Sequence, residues 1–374
     1  MIRAATLADL PDLTALEDRC FVTDRISRRS FRHLLTRGHA AILLDRRESE
    51  LAGYALVLFR HGVSLARLYS IAISPEFRGQ GVGSALVRAA EQAALDEGAV
   101  EMRLEIREDN DASHALFKAL GYSSFGNYPD YYEDAADAIR YHRYLAPRPD
   151  VPLLHIPFYR QTLEFTCGPA TLMMAMKSLD SAMVLDRRLE LRIWRESTTV
   201  FMTSGHGGCG PHGLALAARA RGFGVELFLK QDGPMFIDSV RSAEKKAVMQ
   251  LVQEDFIEQV NALDIPVNRG SARVADLEAA VAAGGIPLVL ISSYRIYREK
   301  FPHWVVVTGI DARFVYMTDP YVDEEAGKTE TDGINMPVPR EVFDRMARYG
   351  KSGQRAVIIV SRARRGRHYK RSSQ

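Results

Sequence analysis

The chain has 374 residues, a net charge of +2 at neutral pH and 47% hydrophobic residues. This length favours two or three domains, and the composition is that of a globular protein with enough apolar material for two cores. So small a net charge gives no argument for nucleic-acid binding, and no specific nucleic-acid partner is expected. Oligomeric state leaves no signature in the sequence, so it stays unknown at this point.

The first residues do not have the pattern of a secretory signal. Acidic residues interrupt residues 1–18, and no run of about 18 apolar residues occurs in the sequence, so no membrane partner is expected. The three cysteines, Cys20, Cys167 and Cys209, are too few for a disulfide framework. We therefore expect a cytoplasmic, reducing location.

A proline-rich segment divides the chain. Three prolines within residues 146–152 are incompatible with a helix or a central strand, so this segment is predicted to be a linker. We predict one domain at residues 1–145, a second at 153–360 and a basic tail at 361–374. Residues 362–371 carry six Lys or Arg and no acid, which is typical of a solvated chain end.

Before the linker, strand and helix patterns alternate. Strands are predicted at residues 2–5, 40–45, 53–59, 66–73 and 100–106, and helices at 7–19, 30–36, 83–97 and 112–120. Thr6 is the predicted N-cap of the first helix. The alternation predicts an α/β domain with a mixed sheet flanked by helices.

After the linker, helices are followed by apolar, β-branched runs. Helices are predicted at residues 168–179, 211–221 and 274–283, and strands at 224–228, 287–292, 304–310 and 314–319. This order predicts an α+β domain in which a sheet packs under helices.

A glycine-rich turn joins the strand at 66–73 to the helix at 83–97. Its sequence is Arg78-Gly79-Gln80-Gly81-Val82-Gly83. Glycines allow backbone N–H groups to converge on one point, and the helix N-terminus adds partial positive charge, so the turn suits a pyrophosphate. On glycine spacing alone, a turn without any ligand is an equally good interpretation.

The turn resembles motif A of the GNAT superfamily, which is Arg/Gln-x-x-Gly-x-Gly/Ala after a strand. Arg78, Gly81 and Gly83 fill the three positions, and the resemblance continues through 68–77, 104–107 and 110–122. It is nearest to the RimI branch, which acetylates protein N-terminal amines. The resemblance implies a GNAT fold, acetyl-CoA as cofactor, and a peptide or protein with a free amine as partner.

The resemblance also implies individual roles. The coenzyme A site would consist of Ile71, Ile73, Arg78, Gly79, Gln80, Gly81, Val82, Gly83, Ser84 and Asn110. Glu105 matches the general base that takes a proton from the incoming ammonium, through water, because only a neutral amine is nucleophilic. Tyr131 and Tyr132 would line the amine pocket. The alternatives are a solvated carboxylate at Glu105 and tyrosines that only pack on the sheet.

One position departs from the RimI pattern. Where such enzymes carry a tyrosine that protonates the leaving thiolate, this chain has Phe117, which has no proton to give. Three interpretations stay open. Acid catalysis is dispensable, because coenzyme A thiolate is a fair leaving group; or Tyr122, Tyr131 or Tyr132 supplies the proton; or acetyl transfer is slow or lost.

Cys167 marks a second candidate site. It directly precedes a predicted helix that has Pro169 in its first turn, a favoured place for proline. A helix N-terminus stabilises a thiolate, and its amides can face a developing oxyanion. Gln161, six residues upstream, is a candidate second oxyanion donor. Taken alone, the cysteine is better interpreted as a small buried hydrophobe.

His303 and Asp319 are the predicted partners of Cys167. His303 begins one predicted strand and Asp319 ends the next, so adjacent strands would bring the two side chains together. The carboxylate would then orient the imidazole, and the imidazole would deprotonate the thiol.

These motifs resemble those of the papain-like C39 cysteine peptidases. Gln161 six residues before Cys-Gly-Pro, His303-Trp-Val-Val-Val and Thr-Asp319-Pro carry the resemblance, which covers residues 153–325. It implies that Gln161, Cys167, His303 and Asp319 are catalytic. Thr166 stands where C39 peptidases usually have aspartate. The resemblance therefore supports the fold and the triad in this chain better than it supports cleavage of leader peptides after a double glycine.

His206, Cys209 and His212 have a spacing that resembles a metal site, but no fourth ligand is nearby in sequence and no metal is predicted. The preferred interpretation of the whole chain is a bifunctional peptide-processing enzyme with N-acetyltransferase and cysteine peptidase or amidase activities. The alternatives are a chain with one catalytic domain, and a non-catalytic module that binds acetyl-CoA and a peptide.

Overall fold

The computed structural model describes residues 2–47, 50–202, 205–231, 233–323 and 328–363. Most of the predicted basic tail, from residue 364 onward, lies outside the described residues. The chain divides into two compact units, Met1–Pro149 and Asp150–Gln374, and the division falls inside the proline-rich segment. Within the described ranges, no helix has both the length and the apolar character needed to cross a membrane.

The first unit is a seven-stranded mixed sheet with helices, as the sequence predicts. Its elements are β1 Ile2–Ala4, α1 Leu10–Cys20, α2 Arg28–Thr36, β2 Ala40–Arg47, β3 Glu50–Phe59, β4 Leu65–Ile73, α3 Val82–Asp96, β5 Glu101–Arg107, α4 Asp111–Ala119, β6 Ser123–Tyr128 and β7 Ala138–Tyr144. The strand order is β1-β2-β3-β4-β5-β7-β6. Only β4 and β5 run parallel, and the other neighbouring pairs are antiparallel.

Strands β4 and β5 diverge after a short contact. Leu65–Arg67 pairs with Glu101–Arg103, whereas the remainder of β4 pairs with β3 in the described structure. Strand β5 continues to Arg107 along β7. The divergence leaves one edge of β4 open beside the start of α3, and unpaired backbone groups at such an edge are available to a ligand.

The second unit is a seven-stranded, mostly antiparallel sheet with helices, which is the predicted α+β arrangement. Its elements are α5 Cys167–Leu179, α6 Arg187–Ser197, β8 Phe201–Met202, β9 Gly205–His206, α7 Pro211–Ala220, β10 Phe223–Leu229, α8 Ala243–Ala262, β11 Val267–Arg269, α9 Val274–Ala282, β12 Ile286–Ser292, α10 Tyr294–Tyr297, β13 Pro302–Ile310, β14 Phe314–Thr318, β15 Met336–Pro339, α11 Arg340–Met346 and β16 Ala356–Arg362. The order of the main sheet is β11-β10-β16-β12-β13-β14-β15. Only β10 and β11 pair in parallel.

The start of helix α5 is fixed by close packing. All ten residues from Cys167 to Met176 are buried. A Cβ added to Gly168 would lie 3.0 Å from a Leu214 methyl group, 3.2 Å from the Cys209 Cβ and 3.2 Å from the Trp304 ring. Glycine therefore allows the first turn of α5 to press against α7 and β13, which sets the position of Cys167.

Candidate functional sites

The glycine-rich turn of the first unit has the conformation that a phosphate cradle needs. Gly79 and Gly81 adopt φ values of +72° and +78°, and Gly81 is the N-cap of α3. A Cβ added at either glycine would meet nothing within 4 Å, so open space lies above the turn. The N-terminal amides of α3 have no side-chain cap from Gly81, and the turn therefore fits a pyrophosphate group.

The remaining predicted coenzyme A residues lie on β4, in the turn itself, in the first turn of α3 and at the start of α4. Ile71 and Ile73 lie on the diverging part of β4. The Arg78 guanidinium donates from Nε to the Ile73 carbonyl at 3.3 Å, and the Gln80 amide donates to the Glu76 carbonyl at 2.9 Å. Asn110 caps helix α4, since its Oδ1 accepts from the Ser113 N–H at 3.1 Å. Their contacts with coenzyme A stay predictions.

Glu105 lies buried on β5 and is paired with an arginine that the sequence analysis missed. Arg67 donates from Nε to Glu105 Oε2 at 2.9 Å, and the two side chains are 2% and 3% exposed. Glu105 Oε1 is also buried, and it has no hydrogen-bond partner within the described residues. One carboxylate oxygen is thus fixed, while the other is left for a ligand with an N–H group.

The tyrosines considered as proton donors lie in different surroundings. Arg67 donates to the Tyr131 hydroxyl at 2.7 Å, so Tyr131 and Glu105 share one guanidinium. Burial raises the pKa of Tyr132 to about 12, and the charge of Glu105 adds to that shift. Tyr122 instead donates to Glu91 Oε1 at 3.0 Å, and its ring packs edge-on against Phe117, with the ring centroids 5.2 Å apart. Of the three hydroxyls, those of Tyr131 and Tyr132 lie near Glu105.

In the second unit, His303 and Asp319 form a buried pair. His303 Nε2 lies 2.6 Å from Asp319 Oδ1, and their side chains are 1% and 0% exposed. Asp319 also accepts from the Tyr297 hydroxyl at 2.6 Å and from the Tyr321 N–H at 2.9 Å. Several donors therefore hold the carboxylate in place. Because Asp319 contacts Nε2 of the imidazole, the other ring nitrogen, Nδ1, can face another group.

Cys167 is among the groups that influence the charge of this imidazole. Burial lowers the pKa of the His303 imidazole, but the charge and hydrogen bond of Asp319, with a smaller contribution from Cys167, outweigh it and raise the pKa to about 10. The imidazole is consequently protonated at neutral pH. A cationic imidazole beside a sulfur at a helix N-terminus stabilises the thiolate that acts as a nucleophile.

Gln161 lies in the loop before Cys167, and its amide is engaged within that loop. Its Nε2 donates to the Leu163 carbonyl at 2.9 Å, with a longer contact of 3.4 Å to the Glu164 carbonyl. Its Oε1 is buried and has no hydrogen-bond partner in the described part of the chain. The amide would have to turn from these carbonyls to act as an oxyanion donor, so that role stays a prediction.

The His206, Cys209 and His212 side chains do not converge. The His206 ring is tilted against Phe165 and packs edge-on against Trp194, while Cys209 accepts from the Ser197 hydroxyl at 3.1 Å. Burial lowers the pKa of His212 to about 4. A search of the described residues finds no group of three potential metal ligands around one point. The three residues take part in packing rather than in a shared site.

Comparison with known proteins identifies the family of each unit. Residues 10–122 match the Acetyltransferase (GNAT) family, and residues 156–361 match the Peptidase_C39 like family. The Nα-acetyltransferase RimI of Mycobacterium tuberculosis is 33% identical over 141 residues, which are 37% of this chain and 87% of that protein. The thialysine Nε-acetyltransferase of Bos taurus is 31% identical over 118 residues, which are 30% of this chain and 68% of that protein.

Among solved structures, the ribosomal-protein-S18-alanine N-acetyltransferase from Escherichia coli is 23% identical, covers 41% of this chain and 97% of its own, and has a TM-score of 0.37. The two family matches define the class of each unit. The chain belongs to the GNAT acetyltransferases through its first unit and to the Peptidase_C39 like family through its second. GNAT acetyltransferases use acetyl-CoA as acyl donor, so the first unit is an acetyl-CoA-dependent N-acetyltransferase.

Proposed function

We propose that the chain is a bifunctional peptide-processing enzyme of the cytoplasm. The first unit acetylates the N-terminal amine of a peptide or protein, and the second hydrolyses a peptide or amide bond through Cys167. Acetylation of an N-terminus is supported by the relative that is named as an Nα-acetyltransferase. A reducing location is supported by the three cysteines, all of which are free.

In the first unit, Glu105 is the proposed general base. Bound acetyl-CoA supplies an acetyl group that is activated as a thioester. The turn at Gly79 and Gly81 would hold the pyrophosphate through backbone N–H groups, and the open edge of β4 would hold the pantetheine arm. Glu105 Oε1 then accepts a proton from the amine, directly or through one water. The observation that carries this role is the buried Oε1, which has no hydrogen-bond partner among the residues that the structure describes, beside Oε2 fixed by Arg67.

Release of coenzyme A in the presence of a panel of N-terminal peptides tests the acetyltransferase proposal. General bases contribute about 100-fold or more to a rate, so Glu105→Gln should lower release by at least that factor. Glu108→Gln is the matched control, because Glu108 lies just past the end of β5 and is exposed. If Glu105→Gln and Glu108→Gln both release coenzyme A at the wild-type rate, Glu105 is not the base.

In the second unit, Cys167 is the proposed nucleophile. Its sulfur attacks the carbonyl carbon, while the first amides of α5 stabilise the oxyanion. His303 gives its proton to the leaving amine, and a thioester forms at Cys167. Water then attacks the thioester, His303 accepts the water proton, and the thiolate is released. The observation that supports this mechanism is the 2.6 Å contact of His303 Nε2 with Asp319 Oδ1, together with the place of Cys167 at the start of α5.

Trapping of the thioester tests this mechanism directly. The protein is mixed with a peptide library, quenched in acid and measured by intact mass, and the adduct is located by peptide mapping. We expect an acyl adduct on Cys167 in the wild type and none in Cys167→Ala. Cys209→Ala, which removes the other thiol of this unit, should keep the adduct. An adduct on another residue, or none in the wild type, would argue for a peptide-binding module without turnover.

A further inference from the structure

A buried carboxylate on helix α6 holds the loop that leads to Cys167. Glu190 lies in the first turn of α6, where the helix dipole stabilises a negative charge, and it is fully buried. Its Oε1 accepts the Thr162 N–H at 2.8 Å, and its Oε2 accepts the Thr162 hydroxyl at 2.7 Å and the Tyr159 hydroxyl at 3.0 Å. An ionised carboxylate only accepts hydrogen bonds, so three donors from one loop suit it. Glu190 takes no part in the proposed hydrolysis.

The Thr162 N–H belongs to the peptide unit that follows Gln161. The peptide unit that precedes Gln161 is also held, since the Gln161 N–H donates to the Pro320 carbonyl at 3.0 Å. Pro320 directly follows Asp319 of the buried pair. Because each peptide unit is planar, holding the units on both sides restricts the two backbone dihedrals of Gln161. Glu190 and the residue after Asp319 therefore fix the Gln161 backbone between them.

The end of the loop is fixed as well. Thr166, directly before Cys167, is fully buried. Its hydroxyl donates to the Leu163 carbonyl at 2.8 Å and accepts the Leu163 N–H at 3.2 Å. Residues 159–166 are therefore tied to α6 at one end and closed on themselves at the other.

The Gln161 side chain is less completely held than its backbone. Its Nε2 donates to the Leu163 carbonyl at 2.9 Å, while the buried Oε1 has no hydrogen-bond partner in the described ranges. A buried acceptor without a partner costs free energy, which offsets part of what the Nε2 bond contributes. A change of side-chain rotamer at Gln161 is thus less costly than a movement of its backbone.

We propose that Glu190 is a positioning residue for peptide hydrolysis, which places the Gln161 amide where it can stabilise the oxyanion that forms at Cys167. The inference rests on the proposed function of the second unit and adds a residue to its site. Glu190 acts through the Gln161–Thr162 peptide unit and does not touch the substrate. Catalytic groups must be held within about 0.5 Å of the productive geometry, so loss of Glu190 should weaken oxyanion stabilisation and leave the thiolate reactive.

Two small electrophiles separate oxyanion stabilisation from thiolate reactivity at Cys167. With p-nitrophenyl acetate, the sulfur forms a bond to the acetyl carbon, the carbonyl oxygen becomes an oxyanion, and p-nitrophenolate then leaves. With iodoacetamide, the sulfur forms a bond to the methylene carbon and iodide leaves, so no oxyanion forms. Both rates are measured on the full chain by acid quench and peptide mapping of Cys167.

Glu190→Ala should slow acetylation of Cys167 by p-nitrophenyl acetate by about tenfold or more, and alkylation by iodoacetamide should stay within about twofold of the wild type. Glu190→Gln, which keeps an acceptor for the Thr162 N–H, should recover most of the lost rate. Glu196→Ala is the matched control, because Glu196 lies on the same helix and pairs with Arg221, and both rates should be unchanged. Equal loss of both rates in Glu190→Ala would assign Glu190 a structural role only and overturn the proposal.

A double variant tests whether Glu190 acts through Gln161. Gln161→Ala should slow acetylation and leave alkylation unchanged, and adding Glu190→Ala should cause no further loss, because the two residues act as one unit. Additive losses would overturn the proposal. If circular dichroism shows that Glu190→Ala does not fold, Thr162→Val decides. It removes one bond to Glu190 at an exposed residue and should slow acetylation alone by about threefold or more, and an unchanged rate would overturn the proposal.

Failure of this inference differs from failure of the proposed function. If p-nitrophenyl acetate does not acetylate Cys167 in the wild type, the proposed nucleophile is wrong. If Cys167 is acetylated and Gln161→Ala leaves that rate unchanged, the nucleophile stands and the positioning proposal fails.

Discussion

Asp319 holds the His303 imidazole from one side only: its Oδ1 lies 2.6 Å from Nε2, and its Oδ2 accepts the Tyr297 hydroxyl at 2.6 Å. Because both oxygens have donors and the pair is fully buried, the ring has little freedom to rotate. The other ring nitrogen is consequently left for the proposed interaction with Cys167. The arrangement combines a fixed base, a compensating charge and a sulfur at a helix N-terminus.

Loss of the Asp319 charge should change both stability and the pH profile. The pKa of His303 is raised to about 10 in the folded protein and is about 6.5 in the unfolded chain. The protonated imidazole therefore contributes its full stabilisation below about pH 6.5, and this stabilisation is lost as the pH rises through about 10. Asp319→Asn should lower the free energy of unfolding by about 3–5 kcal/mol at pH 6, and by less as the pH approaches 10. Urea unfolding at several pH values measures this difference, and a constant difference across the range would contradict the account. The alkaline limb of peptide hydrolysis should move to lower pH.

Tyr297 should act as a positioning residue for the pair. Tyr297→Phe removes one hydrogen bond to a charged group, which is worth about 1.5–3 kcal/mol. We expect kcat for peptide hydrolysis to fall by about tenfold or more, with a shift of the alkaline limb and little change in KM. Tyr294→Phe on the same short helix is the control, because Tyr294 is 43% exposed. Equal rates in the two variants would remove Tyr297 from the account.

The three cysteines should differ in reactivity. Burial raises the pKa of the Cys209 thiol, which also accepts a hydrogen bond from Ser197. Burial likewise raises the pKa of Cys20. At neutral pH, iodoacetamide should therefore modify Cys167 first, as measured by peptide mapping over time, and His303→Ala should slow that reaction by about tenfold or more. A Cys167 that stays unmodified while Cys20 reacts would show that the sulfur is not activated.

The glycine turn should be required for acetyl-CoA and not merely for folding. Gly81→Ala places a side chain at φ +78° and fills the open space above the turn, so acetyl-CoA binding should weaken by about tenfold or more. Gly98→Ala carries the same backbone strain, at φ +81°, beyond the far end of α3, and should lower stability without affecting binding. Isothermal titration calorimetry and thermal melting separate the two effects. Equal binding losses in both variants would indicate that strain alone is responsible.

Local sequence patterns predict a large part of this structure. The Gly81 N-cap and the α5 start at Cys167 follow from glycine and proline chemistry, which acts within one turn of the chain. The proximity of His303 and Asp319 follows from two consecutive apolar strands, since such strands usually pair. Each of these features is determined by residues that are adjacent in the sequence or by consecutive elements of the chain.

The contacts that the sequence did not reveal depend on distant segments. Arg67 and Glu105 are brought together where β4 and β5 diverge, and an arginine in an apolar strand gives only a weak signal of a buried pair. Strand β16 inserts between β10 and β12, far from both in sequence. Strand β6 was missed because its residues are mostly exposed and lack an apolar alternation. Tertiary pairing, rather than local preference, determines these elements.

The most direct test of the central claim is mass spectrometry of the products formed from an unbiased peptide library with acetyl-CoA. The account predicts shortened peptides and peptides heavier by one acetyl group in the wild type. Shortened products should disappear in Cys167→Ala, and acetylated products should diminish in Glu105→Gln. Shortened peptides that persist in Cys167→Ala, or a wild type that yields no shortened product, would contradict the account.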